Sequence, residues 1–265
     1  MPTAPRRSRG PFRADQIRCG DPYELSDGHT IYVLPAGGRH ARTNLVGGQV
    51  LATDPDVTQA GTDEGYSPEP GTLRAPDIAV GNVPAEPGWI QGVPPLAVEY
   101  ADAGQDEAEL RAKIDDLIRA GTKYLWVVRL AGPHRVEVYE QGKPMRVASP
   151  GEELRAPGVL RNPVKVEALY DREAAMEATL RNLLQRAGYN NLDEVRAEGE
   201  ARGRAEGEAK GKAEGKAEGK AEGLADAARR LVASGMTVEQ TAALLGLEIT
   251  FVQAAVNQEE EAGTS

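Results

Sequence analysis

Two acidic residues stand beside apolar strand sequence. Asp77 precedes the run Ile78-Ala79-Val80, and Glu99 lies inside Leu96-Ala97-Val98-Glu99-Tyr100. Side chains alternate across a strand, so Asp77 and Ala79 share one face while Ile78 and Val80 take the other. By the same rule Ala97 and Glu99 lie opposite Leu96, Val98 and Tyr100. Both carboxylates therefore face alanines, which leaves space between them. Paired side by side, the two strands would bring Asp77 and Glu99 close enough to share a cation. A carboxylate inside an apolar strand is otherwise costly.

A lysine completes the set. Asp106 to Ala120 reads as a helix stopped by Gly121, with an apolar stripe at Leu110, Ile114, Leu117 and Ile118. Lys113 falls inside that stripe, whereas Arg111, Asp115 and Arg119 fall outside it, toward solvent. Periodicity allows Lys113 two placements equally. Its ammonium points at the sheet with Glu99 as counter-charge, or the side chain snorkels past the edge to a surface ion pair. Two carboxylates and a lysine are what metal-assisted phosphodiester hydrolysis needs. Asp and Glu hold Mg²⁺ through hard oxygens and leave it several waters. The cation stabilises charge developing on phosphorus and acidifies a bound water, while the lysine orients or polarises the nucleophile.

The elements that must position these groups are short. Ile31 to Leu34, Ile78 to Val80, Leu96 to Tyr100, Tyr124 to Leu130 and Arg135 to Tyr139 are apolar or β-branched runs bounded by Gly, Pro or Asp, as strands are. Ala131-Gly132-Pro133-His134 turns the last two into a hairpin. Together they predict an α/β fold over 13–171, a mixed sheet flanked by a few helices. Residues 1–12, rich in Pro and Arg, read as a flexible basic arm.

At these residues the chain resembles a family. Pro76-Asp77, Val98-Glu99, and Lys113 ahead of Leu117, Gly121 and Tyr124-Leu125-Trp126-Val127-Val128 are similar to the Uma-two restriction-endonuclease family, within the PD-(D/E)XK nuclease superfamily. Tyr23-Glu24-Leu25-Ser26-Asp27-Gly28 is similar to its opening motif and Gly71 to Asp77 to its central one. Val136 to Tyr139 is similar to its hairpin, and Gly151 to Tyr170 to its closing segment. The resemblance covers 13–171 and implies a restriction-endonuclease-like core acting on DNA. It implies Asp77 and Glu99 as metal ligands, Lys113 as the catalytic lysine and Glu24 as an accessory acid. The cofactor it implies is Mg²⁺, with Mn²⁺ as a substitute. In the superfamily a lysine usually lies two residues after the second acid. That position is Ala101 here, so the assignment moves the lysine to the helix. Gly47-Gly48 interrupts the helix expected from near His40.

Beyond 171 the composition changes. Arg172 to Ala187 reads as a helix ended by Gly188. Then Gly199, Gly203, Gly207, Gly211, Gly215, Gly219 and Gly223 recur every four residues, with Ala and charges between them. Pairs such as Glu198 with Arg202 and Glu206 with Lys210 support a helix by a few tenths of a kcal/mol each. Seven glycines, each costing up to about 1 kcal/mol against Ala, outweigh them. The segment 172–223 is therefore expected to be helical with a marginal charged repeat, a solvated spacer in preference to a packing helix. Over 224–258, Leu224, Ala228, Leu231 and Val232 make a stripe, Thr237-Val238-Glu239-Gln240 a capping box, and Ile249 to Val256 a last helix. This predicts a small helix-turn-helix-like bundle, with a disordered acidic tail over 259–265. No Lys or Arg follows Arg230, so the bundle is assigned to protein contact or dimerisation in preference to DNA.

Composition excludes other classes. The chain has 265 residues, 40% hydrophobic, with a mean hydropathy of −0.47 and a net charge of −10. No apolar run is long enough to cross a membrane. The lone Cys19 forms no internal disulfide, and the basic N-terminus lacks an apolar signal core, so a cytoplasmic location is expected. His29, His40 and His134 are scattered, which leaves no Cys/His metal cluster and no Ser-His-Asp arrangement. Two functions stand: a Mg²⁺-dependent DNA endonuclease, dimeric if it cuts both strands, or a catalytically degenerate scaffold assembling partners through its helical tail.

Overall fold

The computed structural model describes residues 10–104 and 106–262, the side chains of 258–262 excepted. Positions 1–9 of the expected arm and 263–265 of the expected tail lie outside the described residues. The chain divides into two compact units, the first to Leu192 and the second from Asp193.

The first unit opens with a hairpin of β1 (Tyr23–Ser26) and β2 (His29–Tyr32). Asp27 and Gly28 both have positive φ, the backbone that a two-residue turn demands. That turn pairs Ser26 with His29, and the strand ends at Tyr32, opposite the first residue of β1, two residues short of the expected Leu34. Phe12 is not free either. Its amide donates to the Gly28 carbonyl at 2.7 Å, and its ring packs with Ala14, Leu25 and Leu73.

Next come α1 (Gly38–Ala52), β3 (Ala60–Gly61), β4 (Ile78–Val80), β5 (Leu96–Ala101) and α2 (Glu107–Arg119). β6 (Tyr124–Arg129), β7 (Arg135–Glu140), β8 (Arg146–Ala148), β9 (Glu153–Leu154), β10 (Val164–Lys165) and α3 (Arg172–Arg186) complete the unit. β3 to β8 form one six-stranded sheet in sequence order. All its pairings are antiparallel except β5 with β6, which α2 connects. Asp106 caps α2, accepting from the amides of Ala108 and Glu109.

Helices cover both faces of the sheet. Leu110, Ile114 and Leu117 of α2 pack on Ala97, Ala101, Leu125 and Val127. On the other face Val50 and Leu51 of α1 and Ala175 and Ala178 of α3 join Ile78, Val98, Tyr100 and Trp126 in the main core. The core unit therefore runs past the expected boundary at 171, because α3 closes it.

Gly47-Gly48 does not interrupt α1, which is continuous through both. A Cβ at Gly47 would lie 2.0 Å from the Tyr100 hydroxyl, whereas one at Gly48 would meet nothing nearer than 3.8 Å. Gly47 thus lets the helix lie against β5.

In the second unit α4 (Leu192–Ala233) is one unbroken helix of 42 residues, against the marginal repeat expected from its glycines. Ion pairs along it include Arg202–Glu206 at 3.0 Å and Lys210–Glu214 at 3.8 Å. Among the described residues nothing comes within 4 Å of where a Cβ would stand on any of the seven repeat glycines. α5 (Val238–Leu245) and α6 (Ile249–Ala262) pack on the end of α4 through Ala228, Ala242 and Val252. Residues 259–262 of the expected disordered tail are thus helical, a continuation of α6. Thr237 and Gln240 form the expected capping box, and Gly246 closes α5 in the left-handed region.

The two glycines of α1 make a paired test of its approach to the sheet. Gly47→Ala should destabilise by about 1–3 kcal/mol through overpacking. Gly48→Ala should stabilise by about 0.5–1 kcal/mol. Thermal melting of both variants reads the difference, and equal shifts would contradict the contact with Tyr100.

Candidate active site

β4 and β5 pair with Ile78 opposite Val98, so one step further along the register Asp77 comes opposite Glu99. Glu99 keeps the face that alternation gives it, the α2 side with Ala97 and Ala101. Asp77 does not stay on that face. It sits just before β4, and its carboxylate turns to the backbone of the neighbouring strand. Oδ2 accepts from the Tyr100 amide at 2.6 Å, and Oδ1 lies 3.0 Å from Nε2 of His40 on α1. Asp77 thus stands between the two faces of the sheet.

Lys113 takes the inward of its two expected placements. Its side chain is only 13% exposed, and Nζ donates to the Ala75 carbonyl at 2.6 Å and to Glu99 Oε2 at 3.2 Å. The same ammonium lies 3.1 Å from Glu24 Oε1 and 3.0 Å from Glu99 Oε1. Three of the four expected site residues, Glu24, Glu99 and Lys113, are therefore in direct contact, and Asp77 adjoins them across the register.

Glu24 is held by groups the sequence did not single out. Its Oε2 accepts from Nη1 of Arg74 at 3.3 Å. Arg74 is fully buried and gives Nε and Nη2 to Asp116 Oδ2 at 2.9 and 2.7 Å, while the Ser26 hydroxyl adds a bond to the same oxygen. Asp116, Arg74, Glu24, Lys113 and Glu99 form a buried row of alternating charge. A weak signal for Asp116 existed, since it lies one turn from Lys113 and next to Leu117 of the apolar stripe. For His40 there was none beyond its residue type.

The row has more acid than base, and the ionisation of its members reflects this. Burial pushes the Glu99 carboxyl up to about 8, Asp77 and Glu24 add to the rise, and Lys113 only partly opposes it. Burial disfavours the Lys113 ammonium, but Glu24, Glu99 and Asp77 reverse that and hold its pKa above the ordinary lysine value. The hydrogen bond to Asp77 raises His40 against the effect of burial. Asp63 lies nearby in the left-handed region, its amide bonded to the Pro76 carbonyl. Partial burial and the Asp77 charge raise its carboxyl. Among the described residues no three His, Cys, Asp or Glu side chains are arranged to hold a metal ion by themselves. Glu99 Oε1 is buried and lacks a hydrogen bond despite its proximity to Nζ.

A family model, Uma2, described as "Putative restriction endonuclease", matches residues 15–165. The chain belongs to the Uma2 family. The match runs from before β1 to the end of β10 and includes Glu24, Arg74, Asp77, Glu99 and Lys113. A similar solved structure is the crystal structure of a "putative nuclease belonging to DUF820" from Anabaena variabilis ATCC 29413. It shares 17% identity with this Uma2 chain at a TM-score of 0.51, covering 62% of this chain and 99% of that one. That likeness bears out the restriction-endonuclease-like mixed α/β fold. No curated protein matches the chain. No helix among the described residues is long and apolar enough to cross a membrane.

The Glu99 carboxyl gives the domain a pH signature. It titrates near 8 when folded and near 4.5 when unfolded, so between those values the folded state holds a proton that unfolding releases. Its contribution to stability is full below 4.5 and is lost as pH rises through 8, about 1.4 kcal/mol for each unit of the gap. His40, also raised, slopes the same way, so the Glu99→Gln variant isolates the carboxyl. With chelator present, wild type and variant should differ least in melting temperature near pH 4.5, and the variant should gain on the wild type toward pH 9. Parallel pH profiles would contradict the burial of an excess acid.

Proposed function

We propose that this protein is a Mg²⁺-dependent DNA endonuclease of the PD-(D/E)XK type, with Mn²⁺ able to replace Mg²⁺. The observation that carries the reading is Lys113 Nζ, buried between Glu24 and Glu99 with Asp77 alongside. The residues fit a hard divalent cation. Glu99 Oε1 is a buried carboxylate oxygen without a hydrogen bond, and the acids around Lys113 outnumber the positive charge available to them. Asp77 and Glu99 would hold the ion, with water completing its shell. When bound, Mg²⁺ supplies an acidified water and charge stabilisation at phosphorus.

The chain's own groups do the rest. Lys113 keeps its proton, so it acts as a fixed positive charge and hydrogen-bond donor and not as a base. Its place between two acids holds it for a developing phosphate charge. Glu24, tied back by Arg74, prevents the ammonium from collapsing onto Glu99 alone. Near neutral pH the proton that Glu99 holds has to leave for the carboxylate to take a cation, so metal binding should release protons. Cutting both strands of a duplex takes two such sites, which makes a cytoplasmic homodimer the working form in this reading. The Uma2 relationship and the shared fold support the nuclease part of the reading.

The test is cleavage of supercoiled plasmid and single-stranded DNA with Mg²⁺, Mn²⁺ or EDTA. Asp77→Ala and Lys113→Ala proteins of equal circular dichroism run beside the wild type. Metal-dependent cutting that falls at least about 10²-fold in both variants is expected, the scale of losing an electrostatic stabiliser. No cutting by the wild type would favour the scaffold, with the C-terminal helices as its working part.

A further inference from the structure

Of the proposed ligands, Asp77 is the one its own strand supports least. It precedes β4, outside the paired residues, so hydrogen bonds to its side chain must set the plane of its carboxylate. One comes from the Tyr100 amide to Oδ2 at 2.6 Å. The other joins Oδ1 to His40 Nε2 at 3.0 Å.

His40 is itself well placed. Gly47 lies seven residues on, on the same face of α1, and brings that face against Tyr100. The His40 ring stands edge-on to the Tyr100 ring with centroids 6.0 Å apart. The Tyr100 hydroxyl is fixed in turn by the Leu169 carbonyl at 2.8 Å. Both bonds to Asp77 thus come from one assembly, the Tyr100 amide and a histidine packed on the Tyr100 ring. With the proton on Nε2, His40 donates to Oδ1. A carboxylate oxygen has a second lone pair, which leaves Oδ1 able to take a cation. Partners that orient ligating carboxylates typically matter 10–100-fold for metal affinity.

We propose that His40 is a positioning residue that fixes the Asp77 carboxylate for cation binding, an inference that rests on the metal-dependent reading of the site. Its Nε2 is spent on Asp77, so it acts through that residue. The experiment is calorimetric titration of the full chain with Mn²⁺, without DNA, for wild type, His40→Ala and His40→Gln. Glutamine carries an amide N–H at the reach of Nε2, and alanine carries nothing. His40 is on a helix and partly exposed, so both variants should keep the wild-type circular dichroism. Affinity about 10–100-fold weaker in His40→Ala, with His40→Gln close to wild type, is the expected result. Wild-type affinity in His40→Ala, tighter binding, or equal loss in both variants would overturn the positioning role. Absence of Mn²⁺ binding by the wild type is a different result, and it would take down the metal reading and this inference together.

Discussion

A single ammonium, that of Lys113, holds together the three segments that carry the acids of the proposed site. It bonds Glu99 on the central strand, approaches Glu24 on the β1–β2 hairpin, and donates to the Ala75 carbonyl two residues before Asp77. Its helix, α2, is also the connection that makes β5 and β6 parallel. Move Lys113 to the surface and Glu99 loses the one group that favours its ionised form, so burial keeps it protonated more strongly still. The position of α2 on the sheet is therefore as much an electrostatic outcome as a packing one.

Stability alone does not explain such a row. Removing several charges from water costs several kcal/mol per ion, and well-packed apolar residues of similar volume often do as well or better. Arg74 and Asp116 are nearly inaccessible, yet beyond each other they reach Glu24, Ser26 and the exposed Arg119, which lies 3.5 Å from Asp116 Oδ1. Their arrangement makes sense as a brace that keeps Glu24 at its distance from Lys113. The acid excess left at Glu99 is the part that a fold would avoid and a cation site would use.

Local pattern carried some of this and tertiary packing the rest. Side-by-side pairing of two short strands is enough to set Asp77 opposite Glu99, whereas an apolar stripe with a lysine inside it leaves Lys113 two placements, and only the folded chain selects the inward one. Alternation failed for Asp77 itself, because a residue just outside a strand is released from the face rule. Arg74 finds Asp116 across 42 positions and His40 finds Asp77 across 37, contacts that depend on how helices settle on the sheet. Gly47 looked like a helix breaker because its reason is the Tyr100 hydroxyl, a partner on another element. In α4 the seven glycines lower the intrinsic helix propensity, yet the segment forms one long helix, which propensity summed residue by residue does not capture.

The proposed function turns on a divalent cation shared by Asp77 and Glu99 beside Lys113. Anomalous diffraction from crystals soaked in Mn²⁺ measures that directly. One strong peak is expected within bonding distance of an oxygen from each of Asp77 and Glu99, absent after soaking in chelator. A well-ordered site with no peak, or a peak bonded to neither carboxylate, would contradict it.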